Sequence, residues 1–206
     1  MTRFFQVVDD FYSDPNFVRK RALELEFSEP SDFTGWRTNA YQPNGIKQLI
    51  EKKLRVHIRY WEKEVTAVEA CNGVFMSAFS RGRRAETVGI HYDEPVSWMM
   101  LLVYLTPKAP PEAGTSFWEH RQTGLVQAPT QKDADRLGLS IKKLRTILEN
   151  DSGLLSRWRE IDRVSNRYNR AVMFPSGLLH SASKHFGGSL ANGRLYQSFH
   201  FPMRSQ

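Results

Sequence analysis

The stretch "NRAVMFPSGLLHSASKHFGGSLANGRLYQSFHF" (residues 169–201) decides how the rest of the chain is read. Three short segments rich in apolar and aromatic residues, "NRAVMFPS", "LLHSAS" and "GRLYQSFHF", are separated by a Pro-Ser-Gly turn and a Gly-Gly to Asn-Gly loop, which is the signature of successive strands. His180 follows the first strand and its turn, and Arg194 opens the last strand. A histidine and an arginine set at strand starts raise the question of what else in the chain they meet.

Working back towards the N-terminus, "NGVFMSAFS" (72–80), "ETVGIHYD" (86–93), "VSWMMLLVYLT" (96–106) and "GTSFWEH" (114–120) are again short, aromatic and broken by Gly, Pro and charged turns, as expected of sheet. The apolar run at 98–105 predicts a strand covered on both faces. Within "GIHYDEPVSW", His91 and Asp93 stand two apart. In a strand they would present an imidazole and a carboxylate to one point. The pair alone is weak, since His-x-Asp is expected by chance in about one such chain in four.

The flanking regions read as helical. "FFQVVDDFY" (4–12) is a first strand, followed by "SDPNFVRKRALELEF" with Ser13 or Asp14 as cap, Pro15 in the first turn and Val18, Ala22 and Leu25 on one face. "FSEPSDFTGWRTNAYQPNG" (27–45) reads as a long polar loop, and "IKQLIEKKLRVHI" (46–58) as a helix with Ile46, Leu49, Ile50 and Leu54 inward and His57 on its face. Between the strands, "TQKDADRLGLSIKKLRTILENDSGLLSRWREI" (130–161) repeats Leu137, Ile141, Leu144 and Leu148 at helical spacing, an insertion within the sheet. The expected organisation is one domain, 1–206: helical support over 1–70, a jelly-roll core over 72–118 and 161–201, and a helical insertion over 119–160.

Composition bounds the function. With 206 residues, 40% hydrophobic and 12% aromatic, the chain is globular. The run "WMMLLVYL" is too short to span a bilayer, "MTRFFQVVDDFY" lacks a signal-peptide pattern, and the single cysteine, Cys71, excludes an internal disulfide framework, so a cytoplasmic location is expected. The net charge of +7 raises an anionic partner such as nucleic acid. The basic residues, however, are scattered among acids, as on solvated helix faces.

The order His91-x-Asp93, distal His180 and Arg194 resembles the iron(II)/2-oxoglutarate-dependent oxygenase superfamily, in its prolyl-hydroxylase-like and phytanoyl-hydroxylase-like branch. The phrases "LLVYL", "GTSFW" and "FPSGLLH" match the contexts of these motifs, and "YNRAVMF" after a helical insertion is similar to an uncharacterised bacterial group within the superfamily. The resemblance implies a mainly β fold with α elements, a double-stranded β-helix (jelly roll, cupin-like) with N-terminal helices. It implies iron(II) on His91, Asp93 and His180, 2-oxoglutarate as co-substrate with its far carboxylate on Arg194, a second contact from Tyr104, and O2 as oxidant. The activity implied is hydroxylation of a C–H bond in a small molecule, amino acid or peptide side chain. Asp93 stands where related halogenases carry Gly or Ala, which argues against halide chemistry.

The serine that this family places two residues after the arginine is replaced by Tyr196, with Ser198 later. His185 is the alternative distal ligand and Arg170 the alternative cation. His120 and His200 read as structural histidines; Trp98, Phe117 and Trp118 read as core, one of the last two facing inward; Arg83 and Arg84 read as a solvated turn or a rim contact for an acidic substrate. Two further readings stand beside the hydroxylase: a nucleic-acid-modifying oxygenase, and a non-catalytic metal-binding or interaction protein of the same fold. The sequence leaves the substrate and the oligomeric state open.

Overall fold

The computed structural model describes residues 5–28, 35–63, 72–82 and 85–204. Cys71, Arg83 and Arg84 lie outside the described residues. Among the described residues, nine strands form two antiparallel sheets: β1 (Gln6–Val8), β7 (Ala171–Pro175), β4 (Met99–Tyr104), β9 (Arg194–Phe201), β3 (Val74–Ala78) and β2 (Trp36–Ala40) in that order in the larger, and β6 (Trp158–Val164), β5 (Thr115–His120) and β8 (His180–Ala182) in the smaller. The fold is the jelly roll expected, with helices α1 (Pro15–Glu24) and α2 (Ile46–Leu54) against the larger sheet and α3 (Gln131–Leu137) and α4 (Ile141–Asp151) between β5 and β6.

The apolar run at β4 is covered on both sides, and its alternation sorts two cores. Leu101, Val103 and Leu105 pack with Val18 and Ala22 of α1 and Ile50 and Leu54 of α2. Met100, Leu102 and Tyr104 face the other way, toward Phe117 of β5 and Phe174 of β7. The two sheets close on one another through these rings, Phe117 meeting Phe174 edge-on at 5.2 Å. Each large apolar side chain so buried contributes about 1.5–3 kcal/mol.

The helix signals hold in detail. The Asp14 side chain accepts from the Phe17 N–H, with Pro15 opening α1. Thr130 and Asp133 form a reciprocal capping box on α3, and Ser140 caps α4. Gly138, left-handed at φ 64°, divides the insertion into two helices.

Four sequence expectations are corrected. The polar loop over 27–45 contains β2, whose Arg37 and Thr38 are buried. α2 stops at Leu54 because Arg55 turns left-handed, so His57 is an exposed residue of the chain beyond the helix. The helical reading of "SRWREI" fails at Trp158, where β6 begins inside the expected insertion. β6 pairs on one side only, and its residues Arg159–Arg163 are all exposed, so no alternation marked it as a strand. The segment "ETVGIHYD" is extended backbone that makes a single bridge, His91 to His180, and not a regular strand.

Asn169 anchors the N-terminal segment to this frame. It is left-handed at φ 64°; its Oδ1 accepts from the Tyr12 N–H and its Nδ2 donates to the Tyr12 carbonyl, while its backbone bonds Phe11 and Tyr104. Asn169→Ala should destabilise the protein by about 2–4 kcal/mol, from two buried hydrogen bonds and the strained backbone. Asn169→Gly should recover about 1 kcal/mol of that by relieving the backbone alone. Urea unfolding of the three proteins gives the comparison.

Candidate metal centre and its cavity

A cavity of about 740 Å³ opens between the sheets. His91 and His180 form its wall by exchanging two backbone hydrogen bonds, His91 N–H to the His180 carbonyl at 3.0 Å and the reverse at 2.8 Å. Residues paired in this way across antiparallel backbone put their side chains on one face. Their rings consequently stand 4.6 Å apart. Asp93 is placed by its own N–H, which donates to the Ser176 carbonyl at 2.8 Å, and the preceding Ile90 is clamped to Ser152 at the end of α4 through both its N–H and its carbonyl.

One ligand atom from each of His91, Asp93 and His180 lies within 4.8 Å of the other two. The Nε2 atoms of His91 and His180 are 3.7 and 3.3 Å from the Asp93 carboxylate oxygens. On each histidine the opposite nitrogen, Nδ1, donates to a backbone carbonyl two residues back, Gly89 at 2.9 Å and Leu178 at 2.8 Å. Those bonds fix the tautomer and aim the Nε2 lone pairs inward, the arrangement that supports metal-ligating histidines. Two neutral imidazoles and one carboxylate suit iron(II) with open positions.

The electrostatics agree with that donor set. Burial by itself would raise the Asp93 carboxyl, but the imidazoles of His180, His91 and His200 overcome it and hold it well below the usual carboxylate range. His91 lines the cavity with its side chain still 53% exposed, and partial desolvation there, with His180 beside it, lowers its pKa. Asp93 is thereby favoured as the anion at the centre of the group.

Arg194 faces the same cavity while only 3% exposed. Its Nε donates to the Ala113 carbonyl at 3.3 Å, and its Nη2 donates to the Gly114 carbonyl at 3.1 Å and to Thr115 Oγ1 at 3.4 Å. Nη1 is in none of these bonds. Gly114 itself is required by the neighbouring backbone, because a Cβ there would stand 1.8 Å from the Val164 carbonyl oxygen of β6. The guanidinium lies 4.5 Å from the Tyr196 ring and 5.6 Å from that of Tyr104. Tyr104 is fully buried, its hydroxyl bonded to Thr115 Oγ1 at 2.7 Å, and it stands behind Arg194, not among the cavity-lining residues.

His185 lines the cavity but is not in the three-residue group, and Arg170 is held by Asp9 and Ser165, away from the cavity lining. His120 is structural as expected, buried between Thr123 and Asp151. Phe117 is the inward member of its pair, and Trp118 bonds Ser181 through its indole N–H. Trp98 departs from the core reading: it lines the cavity 4.9 Å from the His200 ring, which also lines the cavity and bonds Ser176. Period-two alternation along β9 would have placed Tyr196, Ser198 and His200 on the face of Arg194. Arg37, buried in the cavity wall on β2, had no signal once its segment read as loop.

No helix among the described residues is long and apolar enough to cross a membrane. A search of curated proteins finds no match. Among solved structures, HygX from Streptomyces hygroscopicus, solved with nickel and 2-oxoglutarate bound, superposes with a TM-score of 0.57 at 14% identity, covering 98% of this chain and 84% of its own. The non-heme alpha-ketoglutarate-dependent epimerase SnoN of nogalamycin biosynthesis gives 0.56 at 12% identity, with 97% and 76% coverage. The carbocyclase SnoK of the same biosynthesis gives 0.52 at 11%, with 98% and 79%. These likenesses show that the chain shares the overall fold of these structures. A family model described as a family of unknown function, DUF6445, matches residues 3–199, and the chain belongs to that family.

Proposed function

We propose that this protein is an iron(II)- and 2-oxoglutarate-dependent dioxygenase that oxidises a C–H bond of a small molecule, amino acid or peptide side chain. The observation that carries the reading is the convergence of His91, Asp93 and His180 on the wall of a cavity that also receives the Arg194 guanidinium. In it, these three residues hold the metal and Arg194 binds the far carboxylate of the co-substrate. Iron(II) bound there would supply the coupling of O2 reduction and 2-oxoglutarate decarboxylation to substrate oxidation.

The chain's own groups do the positioning. The Nδ1–H bonds keep both imidazoles oriented, and the ionised Asp93 supplies the negative charge. Thr115 and the carbonyls of residues 113 and 114 hold the guanidinium edge-on, and Tyr104 secures Thr115 from behind. Trp98 and Met100 line the cavity and exclude water around a bound substrate. HygX has been solved with hygromycin B bound, which supports a small-molecule substrate. The epimerase and carbocyclase of this fold support a broad oxidative class, in which product analysis, not fold, distinguishes hydroxylation from other outcomes. The scattered basic residues favour no nucleic-acid groove.

Succinate release from 2-oxoglutarate, dependent on added iron(II) and O2, tests the function; its absence across candidate substrates, together with no metal binding, would sink it. Asp93→Ala should lower iron(II) affinity by more than the about 10- to 100-fold that loss of a supporting contact costs, with the far-ultraviolet circular dichroism spectrum unchanged. Competition against a metal-sensitive dye reads this out. Arg194→Ala should leave metal affinity alone and weaken 2-oxoglutarate by about 10- to 100-fold, the loss of charge-assisted hydrogen bonds of about 1.5–3 kcal/mol each. Calorimetric titration under anaerobic conditions measures it.

A further inference from the structure

The turn between β7 and β8 supports two of the three candidate ligands from its backbone. The Leu178 N–H closes the turn by donating to the Pro175 carbonyl at 3.0 Å. The Ser176 carbonyl accepts from the Asp93 N–H at 2.8 Å, and the Leu178 carbonyl accepts from His180 Nδ1, also at 2.8 Å. A shift of this turn would displace Asp93 and misdirect the His180 ring together.

The turn is fastened from the larger sheet through Ser176, which is fully buried. Its N–H donates to the carbonyl of Trp98, the residue before β4, at 2.9 Å. Its hydroxyl lies 2.8 Å from Nε2 of His200 on β9 and makes no other hydrogen bond among the described residues. A buried serine hydroxyl has one hydrogen to place, so here it donates to Nε2, and the neutral imidazole carries its own hydrogen on Nδ1. The Trp98 ring lies 4.9 Å from the imidazole, so His200 and Ser176 are each held by Trp98, one through its ring and the other through its carbonyl. His200 is not a member of the three-residue group that could hold a metal. β9 thus carries Arg194 at its start and, near its end, the side chain that fastens the turn.

We propose that His200 is a positioning residue of the metal centre: by accepting the Ser176 hydroxyl it fastens the turn whose carbonyls hold Asp93 and aim His180, and it does not itself ligate the metal. This rests on the function proposed above and extends the centre beyond its three ligands to a side chain on the strand of Arg194.

The test is the iron(II) affinity of the full chain, measured anaerobically by competition with a metal-sensitive dye. His200→Phe keeps a ring beside Trp98 and removes the acceptor; Ser176→Ala removes the hydroxyl and keeps every backbone group of the turn. Each should weaken iron(II) about tenfold, the lower end of what loss of a supporting contact costs. The double variant should be no weaker than the worse of the two, because both substitutions remove the same bond. His200→Gln, whose side-chain oxygen can take the place of Nε2 and accept from Ser176, should stay within about threefold of the parent. Parental affinity in both single variants overturns the proposal, even if they melt at a lower temperature, since the bond then serves the fold alone. Should the Phe variant not fold, parental affinity in Ser176→Ala by itself overturns it. Losses that add in the double variant, or a Gln variant as weak as the Phe variant, also overturn it, because the imidazole would then act other than through Ser176. A parent protein that binds no iron(II) defeats the proposed function itself, an outcome seen before any variant is compared.

Discussion

Two backbone hydrogen bonds between His91 and His180 hold the candidate site together. They join segments far apart in the chain, one irregular and the other the start of β8, and they require both side chains to stand on the cavity side. Without that bridge, His91 would belong to a loop with no strand to orient it. Everything else at the centre follows from the pair: Asp93 sits one step further along the same extended backbone, pinned to Ser176, and its charge is stabilised by the imidazoles that the bridge brings together.

A second constraint is the alternation of β9. Leu195, Phe199 and Phe201 pack into the helix-facing core, so Arg194, Tyr196, Ser198 and His200 are committed to the cavity. A one-residue slip in the pairing with β3 and β4 would bury the guanidinium among leucines and phenylalanines. The apolar residues of the last strand therefore fix the polar site as firmly as any contact within it.

The features most legible in the sequence were those backed by burial. The double-sided apolar run of β4, the capped α1 and the Leu144 and Leu148 stripe of α4 each carry a hydrophobic signal with the right period. His91, Asp93, His180 and Arg194 were legible as a pattern of residue types in order. What escaped is what tertiary contacts alone create. β6 is an edge strand with an exposed middle, so its charges mimic a helix face. Arg37 sits on a strand hidden in a polar stretch, and Trp98 looked like one more core aromatic. Tyr104 matched a motif, but only the packing shows that its hydroxyl is spent on Thr115.

The clamp between Ile90 and Ser152 ties the segment of the candidate metal site to the end of α4, and Asp151 beside it is bonded to His120 and, through its carbonyl, to the indole of Trp158. The helical excursion, the start of β6 and the backbone that carries His91 are thereby one cooperative unit of the native state. In hydrogen-exchange terms their amides should open together, so that exposing the backbone that carries His91 would require loosening the excursion's packing as well as the loop's own few contacts. An embellishment between two strands is thus tied by hydrogen bonds to the backbone that carries the candidate site.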